Sequence, residues 1–325
     1  MDFDAQTPAK SGAISAPMIK WLAGDVGVEP LVTVLVPFHR DIPDAGCVHS
    51  LVDQSRSAPP FEVLFLDNSL GAVKEAEDRI RAVIQGRLKA DAAWPRRWGL
   101  VDASEKRGPS HARNRGLAAA SGAWTTMVDS DDTVTQTWMA DSAAAFAPGL
   151  CITPPLAKKT ARGLILAPKA PVVDWPGGGQ AILTSWFAET EKMRMARGWN
   201  EDLMAGEDAE FSHRLLSTGM QIQTTVGGHY IWKLPSGIKE VWAKGRHYAA
   251  GDLELRAIYG NAWPLPFHDG HGMGWWVRRC LLDSLRAIQL RSWHPLLEPA
   301  KLYFLFLSAR SARSARATRT ERKQK

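Results

Sequence analysis

The sequence predicts an α/β protein in which helices flank a parallel sheet. Three short apolar runs, at 31–36, 62–66 and 124–128, have the composition of buried strands. Between the second and third runs, 72–90 places apolar residues at helical spacing among charged ones. Strands that alternate with helices pair in parallel, with the helices crossing over the faces of the sheet. From 238 to 307 the sequence is Trp-rich, interleaved with Arg and mostly helical in pattern, which predicts a helical C-terminal extension.

The first 29 residues mix Pro, Gly, Ser and Ala without periodicity, so we expect a flexible arm or an edge that packs over the domain. This segment begins with acidic residues and contains no apolar run of the kind found in a secretory signal. The three cysteines lie far apart and form no CxxC pair, which is typical of a reducing compartment. We therefore expect a cytoplasmic protein.

Three further segments have patterns that predict their local structure. A short helix follows the first strand, because Val48, Leu51 and Val52 share one helical face. After Asp132 the pattern loosens into Pro- and Gly-rich connections, which indicate a second, smaller subdomain. Residues 207–218 have the pattern of a helix with an acidic first turn, which suits the positive end of the helix dipole.

The positive charge of the sequence is concentrated at its end. The formal net charge is +6, and residues 308–325 carry seven basic side chains and one acid, which accounts for all of it. A folded basic face is therefore not expected, and this argues against a nucleic-acid-binding protein. We expect a disordered basic tail. Alternatively, the tail acts with the Trp- and Arg-rich segment 275–293 and the apolar segment 302–307 to bind anionic lipid at the inner face of the cell membrane.

An acidic cluster stands at the end of the third predicted strand. Asp129, Asp131 and Asp132 follow the strand directly, and in an open parallel sheet ligands bind beyond the carboxyl ends of the strands. Two carboxylates separated by one residue can share a hard cation, and Mg²⁺ or Mn²⁺ also accepts phosphate oxygens. The cluster therefore predicts a metal-held diphosphate. Alternatively, it is a solvated turn or a helix N-cap, where Asp and Ser are favoured.

The 26 residues from Arg107 to Asp132 favour the first alternative, because they resemble the nucleotide-sugar segment of family 2 glycosyltransferases. The family pattern is approximately NxGxSxARNxGxxxAxGxYxxxxDxDD. The residues that fall in step with it are Gly108, Ser110, Ala112, Arg113, Asn114, Gly116, Ala120, Gly122, Asp129, Asp131 and Asp132.

The resemblance extends towards the N-terminus. Pro37 and His39 stand in a segment similar to the first strand of the family. Asp67 ends a segment similar to the second strand, and the resemblance implies that it contacts the nucleotide base. Here 68–70 reads Asn-Ser-Leu where Asp-Gly-Ser is commoner, so the identity of the base stays open.

The resemblance also extends towards the C-terminus. Residues 198–219 are similar to the acceptor segment of the family, in which the Asp of a Glu-Asp pair is the catalytic base. The resemblance thus implies Asp208 as the base, with Glu207 beside it. The segment 229–237 is similar to the aromatic-Arg segment, with Lys233 at the basic position.

Taken over 30–237, the resemblance implies the GT-A fold, with a mixed sheet flanked by helices. It also implies an inverting glycosyltransferase that moves a sugar from a nucleotide-diphosphate donor, of UDP or dTDP type, to a hydroxyl of a glycan or lipid-linked acceptor. The sequence has no spanning helix and no clear QxxRW-like segment, so we expect a non-processive enzyme and not a polymer-extruding synthase. The expected donor-binding residues are Pro37, His39, Asp67, Arg107, Arg113, Asp129 and Lys233. The expected ligands of Mn²⁺ or Mg²⁺ are Asp129, Asp131 and, because imidazole suits Mn²⁺, His229.

The chemistry of single displacement fits these residues. The reaction needs a base on the acceptor hydroxyl and positive charge on the departing diphosphate. We expect the helix dipole to keep Asp208 ionised as the base, and the metal to be helped by Lys233, Lys244 or Arg246.

Three alternatives stay open. Glu207 and Asp208 are also what an ordinary acidic helix start contains. The same donor chemistry fits a sugar-phosphate nucleotidyltransferase of related fold, which releases pyrophosphate. A non-catalytic glycan-binding module is the third possibility.

Overall fold

In the computed structural model the described part of the chain runs from residue 17 to residue 307 with short gaps. The described ranges are 17–24, 27–39, 43–69, 73–88, 97–160, 163, 165–176, 178–203, 205–260, 263, 273–290, 294–297 and 299–307. The predictions for the first 16 residues and for the basic tail at 308–325 lie outside the described residues.

The described elements alternate between strand and helix in the N-terminal half and are helical at the C-terminal end. The strands are β1 (Ile19–Gly24), β2 (Val32–Phe38), β3 (Phe61–Asp67), β4 (Arg97–Asp102), β5 (Trp124–Met127), β6 (Thr133–Val134), β7 (Leu150–Thr153), β8 (Leu156–Lys159), β9 (Ile165–Lys169), β10 (Val172–Asp174), β11 (Gln180–Ile182), β12 (Ala188–Glu189), β13 (Gln221–Thr224) and β14 (Tyr230–Lys233). The helices are α1 (Ala45–Val52), α2 (Val73–Leu88), α3 (Pro109–Ala119), α4 (Trp138–Ala143), α5 (Thr190–Met195), α6 (Glu207–Leu216), α7 (Ile238–Tyr259) and α8 (Met273–Leu290). A 3-10 helix at His294–Leu296 precedes a helical segment at 299–307.

The central sheet is mixed and has the strand order β1-β4-β3-β2-β5-β12. Its inner four strands are parallel, and both edge strands are antiparallel to their neighbours. Strands β2 and β3 are buried along their whole length, which is why they are apolar without alternation. The predicted mixed sheet flanked by helices is therefore confirmed.

For residues 19–24, strand β1 agrees with the second alternative, an edge that packs over the domain, and not with a flexible arm. Residues 19–24 form an edge strand, antiparallel to β4. Sequence pattern gave no signal for it, because its stability comes from tertiary contacts: Leu22 is buried, and the guanidinium of Arg97 lies 4.8 Å from the centre of the Trp21 ring. Strand β4 also went unpredicted, since it opens with that arginine, which forms a buried ion pair with Glu62 at 2.9 Å.

A second sheet, with the order β6-β14-β8-β9, lies beyond the acidic cluster. Its strand β14 pairs with β6, and this brings Tyr230 opposite Val134. The Tyr230 hydroxyl accepts a 3.1 Å hydrogen bond from the backbone N–H of Asp129. The second sheet thus holds residues 230–233 beside the carboxyl end of β5.

Two glycines allow α3 and the turn after it to approach the central sheet closely. A Cβ on Gly116 would stand 2.7 Å from Leu66 and 2.8 Å from Leu35, and one on Gly122 would stand 2.6 Å from the Val32 backbone. A larger residue would push the helix away from the sheet at Gly116, and the turn after the helix at Gly122. The close approach fixes the first turns of α3 at the carboxyl edge of the sheet.

The predicted helical C-terminal extension is confirmed. Helix α7 packs against the last helical segment, where Val241 of α7 joins Leu297 and Ala300 in one buried cluster. Within the described ranges, no helix is both long enough and apolar enough to cross a membrane.

Candidate active site

A cavity of about 760 Å³ opens at the carboxyl edge of the central sheet. Its walls come from the ends of β2, β3 and β5, the start of α3 and the end of β14. The predicted site residues that line it are Pro37, His39, Arg107, Arg113, Asp129, Asp131 and Lys233. Asp67, Glu207, Asp208 and His229 are not in its wall.

Arg113 links the cavity to the predicted catalytic pair. Its Nη2 donates to Oδ1 of Asp129 at 2.8 Å, and its Nη1 donates to Oε1 of Glu207 at 2.7 Å. The same Nη1 lies 3.4 Å from Oδ1 of Asp208. Burial disfavours the charge of Arg113, but the three carboxylates outweigh this effect and raise the pKa of its guanidinium. One buried cation therefore holds three carboxylates from two segments of the chain.

Asp208 lies in the first turn of α6, as predicted, but its protonation differs from the expectation. Burial raises the pKa of its carboxyl to about 7, against the opposing effect of Arg113, and the charges of Glu207 and Asp129 raise it further. The helix dipole does not keep this group as acidic as an ordinary aspartate, because burial penalises the ionised form more strongly. At neutral pH the carboxyl is poised between its two protonation states.

The indole of Trp199 completes the surroundings of Asp208. Its Nε1 donates a 2.7 Å hydrogen bond to Oδ1 of Asp208. Asn114 fixes this tryptophan in turn, since its side chain accepts from the Trp199 N–H at 2.8 Å and donates to the Trp199 carbonyl at 2.9 Å. The preceding Gly198 has φ of +61°, and a Cβ there would overlap the side-chain oxygen of Asn114. Glycine is required at 198 for both reasons.

In the acidic cluster, the carboxylate of Asp132 has a structural role, whereas Asp129 and Asp131 line the cavity. Asp132 is buried and accepts from the Tyr230 hydroxyl and from the Lys233 N–H, each at 2.7 Å. It therefore ties the second sheet to the turn and does not cap a helix. Burial and the Asp129 charge raise the pKa of Asp131.

The predicted third metal ligand is not brought to this cluster. Among the described residues, no three His, Cys, Asp or Glu side chains are grouped so that they could hold a metal ion. The backbone of His229 is instead bonded to Thr135, whose Oγ1 accepts from the His229 N–H at 2.7 Å. Asp129 and Asp131 are the two carboxylates of the cluster that line the cavity.

Basic and aromatic groups of the C-terminal half face the cluster. Lys233 lies 3.3 Å from Oδ2 of Asp44. The charge of Lys244 lowers the pKa of Asp131, in opposition to burial and Asp129. Tyr248 is one helical turn further along α7, and burial, with the nearby carboxylates, raises its pKa to about 12. Arg246 is exposed on the same helix.

Asn68 fastens three parts of the cavity wall. Its Nδ2 donates to the carbonyl of Ala103 and, at 2.7 Å, to that of Lys106. Its Oδ1 accepts from the Gly108 N–H at 2.8 Å, and its own carbonyl lies 2.8 Å from Nδ1 of His39. The loop before α3 and the loop after β2 therefore depend on this one side chain.

Asp67 is fully buried beneath this wall. Its Oδ1 accepts from the backbone N–H of Ser69 at 2.8 Å and from the Ser69 hydroxyl. Its contact with a nucleotide base stays a prediction.

Sequence reasoning missed several residues of this site: Asp44, Asn68, Trp199, Tyr230 and Tyr248. Three of them stood within segments compared with the family, Asn68 after the second strand, Trp199 in the acceptor segment and Tyr230 in the aromatic-Arg segment. Their positions were therefore available from the sequence, but their hydrogen bonds were not. Asp44 and Tyr248 carried no signal.

Residues 33–149 match the model of the family described as Glycosyl transferase family 2. Among solved structures, the chain is similar to a mannosyltransferase, PcManGT from Pyrobaculum calidifontis, in complex with GDP-Man and Mn²⁺, with 15% identity, 89% of each chain covered and a TM-score of 0.53. It is also similar to residues 1–349 of TarS from S. aureus in complex with UDP-GlcNAc, with 16% identity, 88% of this chain and 92% of that chain covered, and a TM-score of 0.48. No curated protein matches it in sequence. The family match and the first likeness show the fold, which is GT-A-like.

Proposed function

We propose that the chain, whose residues 33–149 match the model of glycosyl transferase family 2, transfers a sugar from a nucleotide-diphosphate donor to a hydroxyl group of a glycan or lipid-linked acceptor. The observation that carries the proposal is the contact of one buried guanidinium with both the cavity and the catalytic pair. Arg113 binds Asp129 on the cavity side and Glu207 on the other. Donor site and candidate base are thereby kept in a fixed relation.

The volume of the cavity and the basic groups in its wall suit a nucleotide-diphosphate donor. Helix α3 begins at Pro109 on its wall, so the positive end of the helix dipole faces the space where a diphosphate would lie. Arg107 and Lys233 add positive charge on either side. A volume of about 760 Å³ is within the range of sites for ligands of this size.

The acidic pair fits a divalent cation. Asp129 raises the pKa of Asp131, which means that the two carboxylates repel each other, and a cation would relieve this repulsion. Carboxylate oxygens are the ligands that Mn²⁺ and Mg²⁺ prefer, so Asp129 and Asp131 would hold the ion, with the remaining positions left to water and diphosphate. Once bound, such an ion supplies positive charge to the departing diphosphate. The Mn²⁺ in the Pyrobaculum mannosyltransferase supports this assignment.

Asp208 is the proposed general base. Trp199 and Arg113 hold its Oδ1, so the second carboxyl oxygen would take the proton from the acceptor hydroxyl. That hydroxyl oxygen forms the new bond to the anomeric carbon as the bond from this carbon to the diphosphate oxygen breaks. The displacement inverts the anomeric centre. A base with a pKa of about 7 is matched to work near neutral pH.

A screen of nucleotide sugars tests the proposal. The full chain is incubated with UDP-, dTDP- and GDP-sugars in the presence of Mn²⁺ or Mg²⁺, and release of the nucleoside diphosphate is measured. We expect slow hydrolysis of one donor class and its loss with EDTA. Release of pyrophosphate from a nucleoside triphosphate and a sugar phosphate would instead identify a nucleotidyltransferase. Binding of donors without turnover of any of them, across a range of acceptors, would contradict the proposal.

A further inference from the structure

Among the side chains of α8 that the structure describes, four apolar ones are exposed to solvent and the aspartate is buried. Leu281 and Leu285 are 62% and 63% exposed, whereas Asp283 is 2% exposed. Surface helices of globular proteins show the opposite arrangement, with apolar residues facing the core and charged residues facing water. The outer side of α8 is therefore suited to apolar surroundings.

The exposed apolar residues form a continuous face. Val277, Leu281 and Leu285 follow one another at intervals of four, so they lie on successive turns of one side of the helix. Leu282 is 45% exposed and lies beside them, and exposed Arg278 stands on the same side. We call Val277, Leu281, Leu282 and Leu285 the apolar face of α8.

The net charge of the C-terminal sequence favours one of two possible occupants of the face, which are a second copy of the chain and an anionic membrane. The sequence of α8 contains three arginines and one aspartate, and residues 308–325 add seven basic side chains and one acid. Two copies of the chain docked through this face would bring like charges together, which opposes association. An anionic bilayer has the complementary charge, and it also offers an apolar layer beneath its headgroups.

A second exposed apolar group consists of residues from α7 and from the last described segment, 299–307. Trp242 of α7 is 45% exposed, and its ring lies 5.2 Å from the ring of Tyr303. Leu307, which directly precedes the basic segment, is 40% exposed. Tryptophan and tyrosine favour the boundary between headgroups and acyl chains, because each combines an apolar ring with a polar group.

We propose that the apolar face of α8 docks onto an anionic phospholipid surface, and that the net positive charge of α8 and of the sequence after Leu307 favours this surface over a neutral one. The leucines enter the boundary between headgroups and acyl chains, where the phosphates of anionic lipids attract positive charge. The proposal does not rest on the sugar-transfer activity, since it concerns a surface of α8 and not the cavity.

Co-sedimentation with vesicles tests the proposal on the full chain. Vesicles of phosphatidylcholine alone are compared with vesicles that also contain phosphatidylglycerol. We expect the bound-to-free ratio to be at least about tenfold higher on the anionic vesicles and to fall as salt is added. The double variant L281Q/L285Q should lower it about tenfold, because two leucines no longer leave water on binding. The matched control L183Q/M195Q replaces apolar residues that are 47% and 75% exposed elsewhere, and should bind like the wild type.

A second variant separates the contribution of charge. R310Q/R313Q/R316Q/R319Q keeps the chain length and should remove most of the salt dependence. Equal binding by the wild type and L281Q/L285Q would overturn the role of the face, and equal binding to neutral and anionic vesicles would overturn the choice of lipid. Lipid-free dimers that L281Q/L285Q dissociates would identify a second copy as the occupant and would likewise overturn the proposal.

Discussion

The indole Nε1–H of Trp199 donates a 2.7 Å hydrogen bond to Oδ1 of Asp208, and Nη1 of Arg113 lies 3.4 Å from the same oxygen. The carboxyl group is thus oriented through one of its two oxygens. Both contacts favour its ionised form, and burial opposes them. The balance between these effects sets the protonation of Asp208 near neutral pH.

We expect W199F to weaken the proposed base. The variant keeps an aromatic ring but removes a donor to the carboxylate, so the pKa of Asp208 should rise and the acidic limb of the pH–rate profile should move to higher pH. A hydrogen bond to a charged group contributes about 1.5–3 kcal/mol, so turnover at neutral pH should fall roughly tenfold or more. The measurement is the pH dependence of donor turnover.

W186F is the matched control for this variant. Trp186 packs in the same aromatic cluster, 6.3 Å from the ring of Trp199, but its Nε1 has no hydrogen-bond partner among the described residues. It should leave the position of the acidic limb unchanged. Equal displacement by W186F and W199F would mean that packing, and not the hydrogen bond, sets the pKa.

Activity should depend on the ionised form of Asp208. Its carboxyl has a pKa of about 7, so below that pH the base is progressively protonated and the rate should fall about tenfold per pH unit. D208N should lose this limb, together with about 10² to 10⁴ in rate, while donor affinity survives. In E207Q the limb should remain. An active D208N beside an inactive E207Q would make Glu207 the base.

Donor binding should require a divalent cation and Asp131. D131A removes one of the two carboxylates of the acidic cluster that line the cavity, and it should abolish the difference in donor affinity between Mn²⁺ and EDTA. Calorimetric titration of the donor measures this directly. D202A removes a carboxyl that is 89% exposed and outside the cavity wall, and it should bind the donor like the wild type. Equal donor affinity of the wild type with Mn²⁺ and with EDTA would remove the metal hypothesis.

Arg113 should contribute strongly to stability. R113M leaves three carboxylates without the cation that they share, and breaking a buried ion pair in this way costs about 3–5 kcal/mol. The free energy of unfolding in urea, measured at neutral pH and below it, gives the loss of stability. R79M is the control, because Arg79 is 62% exposed in an i,i+4 pair with Glu75, and it should cost less than about 1 kcal/mol. Similar losses for both variants would contradict the bridging role.

N68D introduces the residue that is commoner in the family at this position, yet it should impair donor binding. Aspartate cannot donate to the carbonyls of Ala103 and Lys106, and each buried acceptor left unpaired costs about 1–3 kcal/mol. The loop before α3 should loosen and the donor affinity fall about tenfold. N200D is the control, because the Asn200 oxygen accepts from the Asp202 N–H and an aspartate keeps that bond.

The sequence determined the elements of the central sheet that are buried on both faces. Strands β2, β3 and β5 and helices α2 and α6 were predictable, because burial on both sides demands continuous apolar runs and one-sided burial demands helical periodicity. It also determined the edge at which the site lies, since Asp129 and Asp131 follow β5 directly and parallel strands end together.

Only the tertiary structure decided what joins these residues. Arg113 and Glu207 are 94 positions apart, and nothing local in either segment indicates that their side chains meet at 2.7 Å. The same is true of β1, whose pairing with β4 depends on contacts across the sheet. The protonation of Asp208 was mispredicted for the same reason: a helix start favours its charge locally, whereas burial against α3 and Trp199 sets its pKa to about 7. Short-range patterns report the secondary structure, while the balance of burial against charge depends on which distant segments pack together.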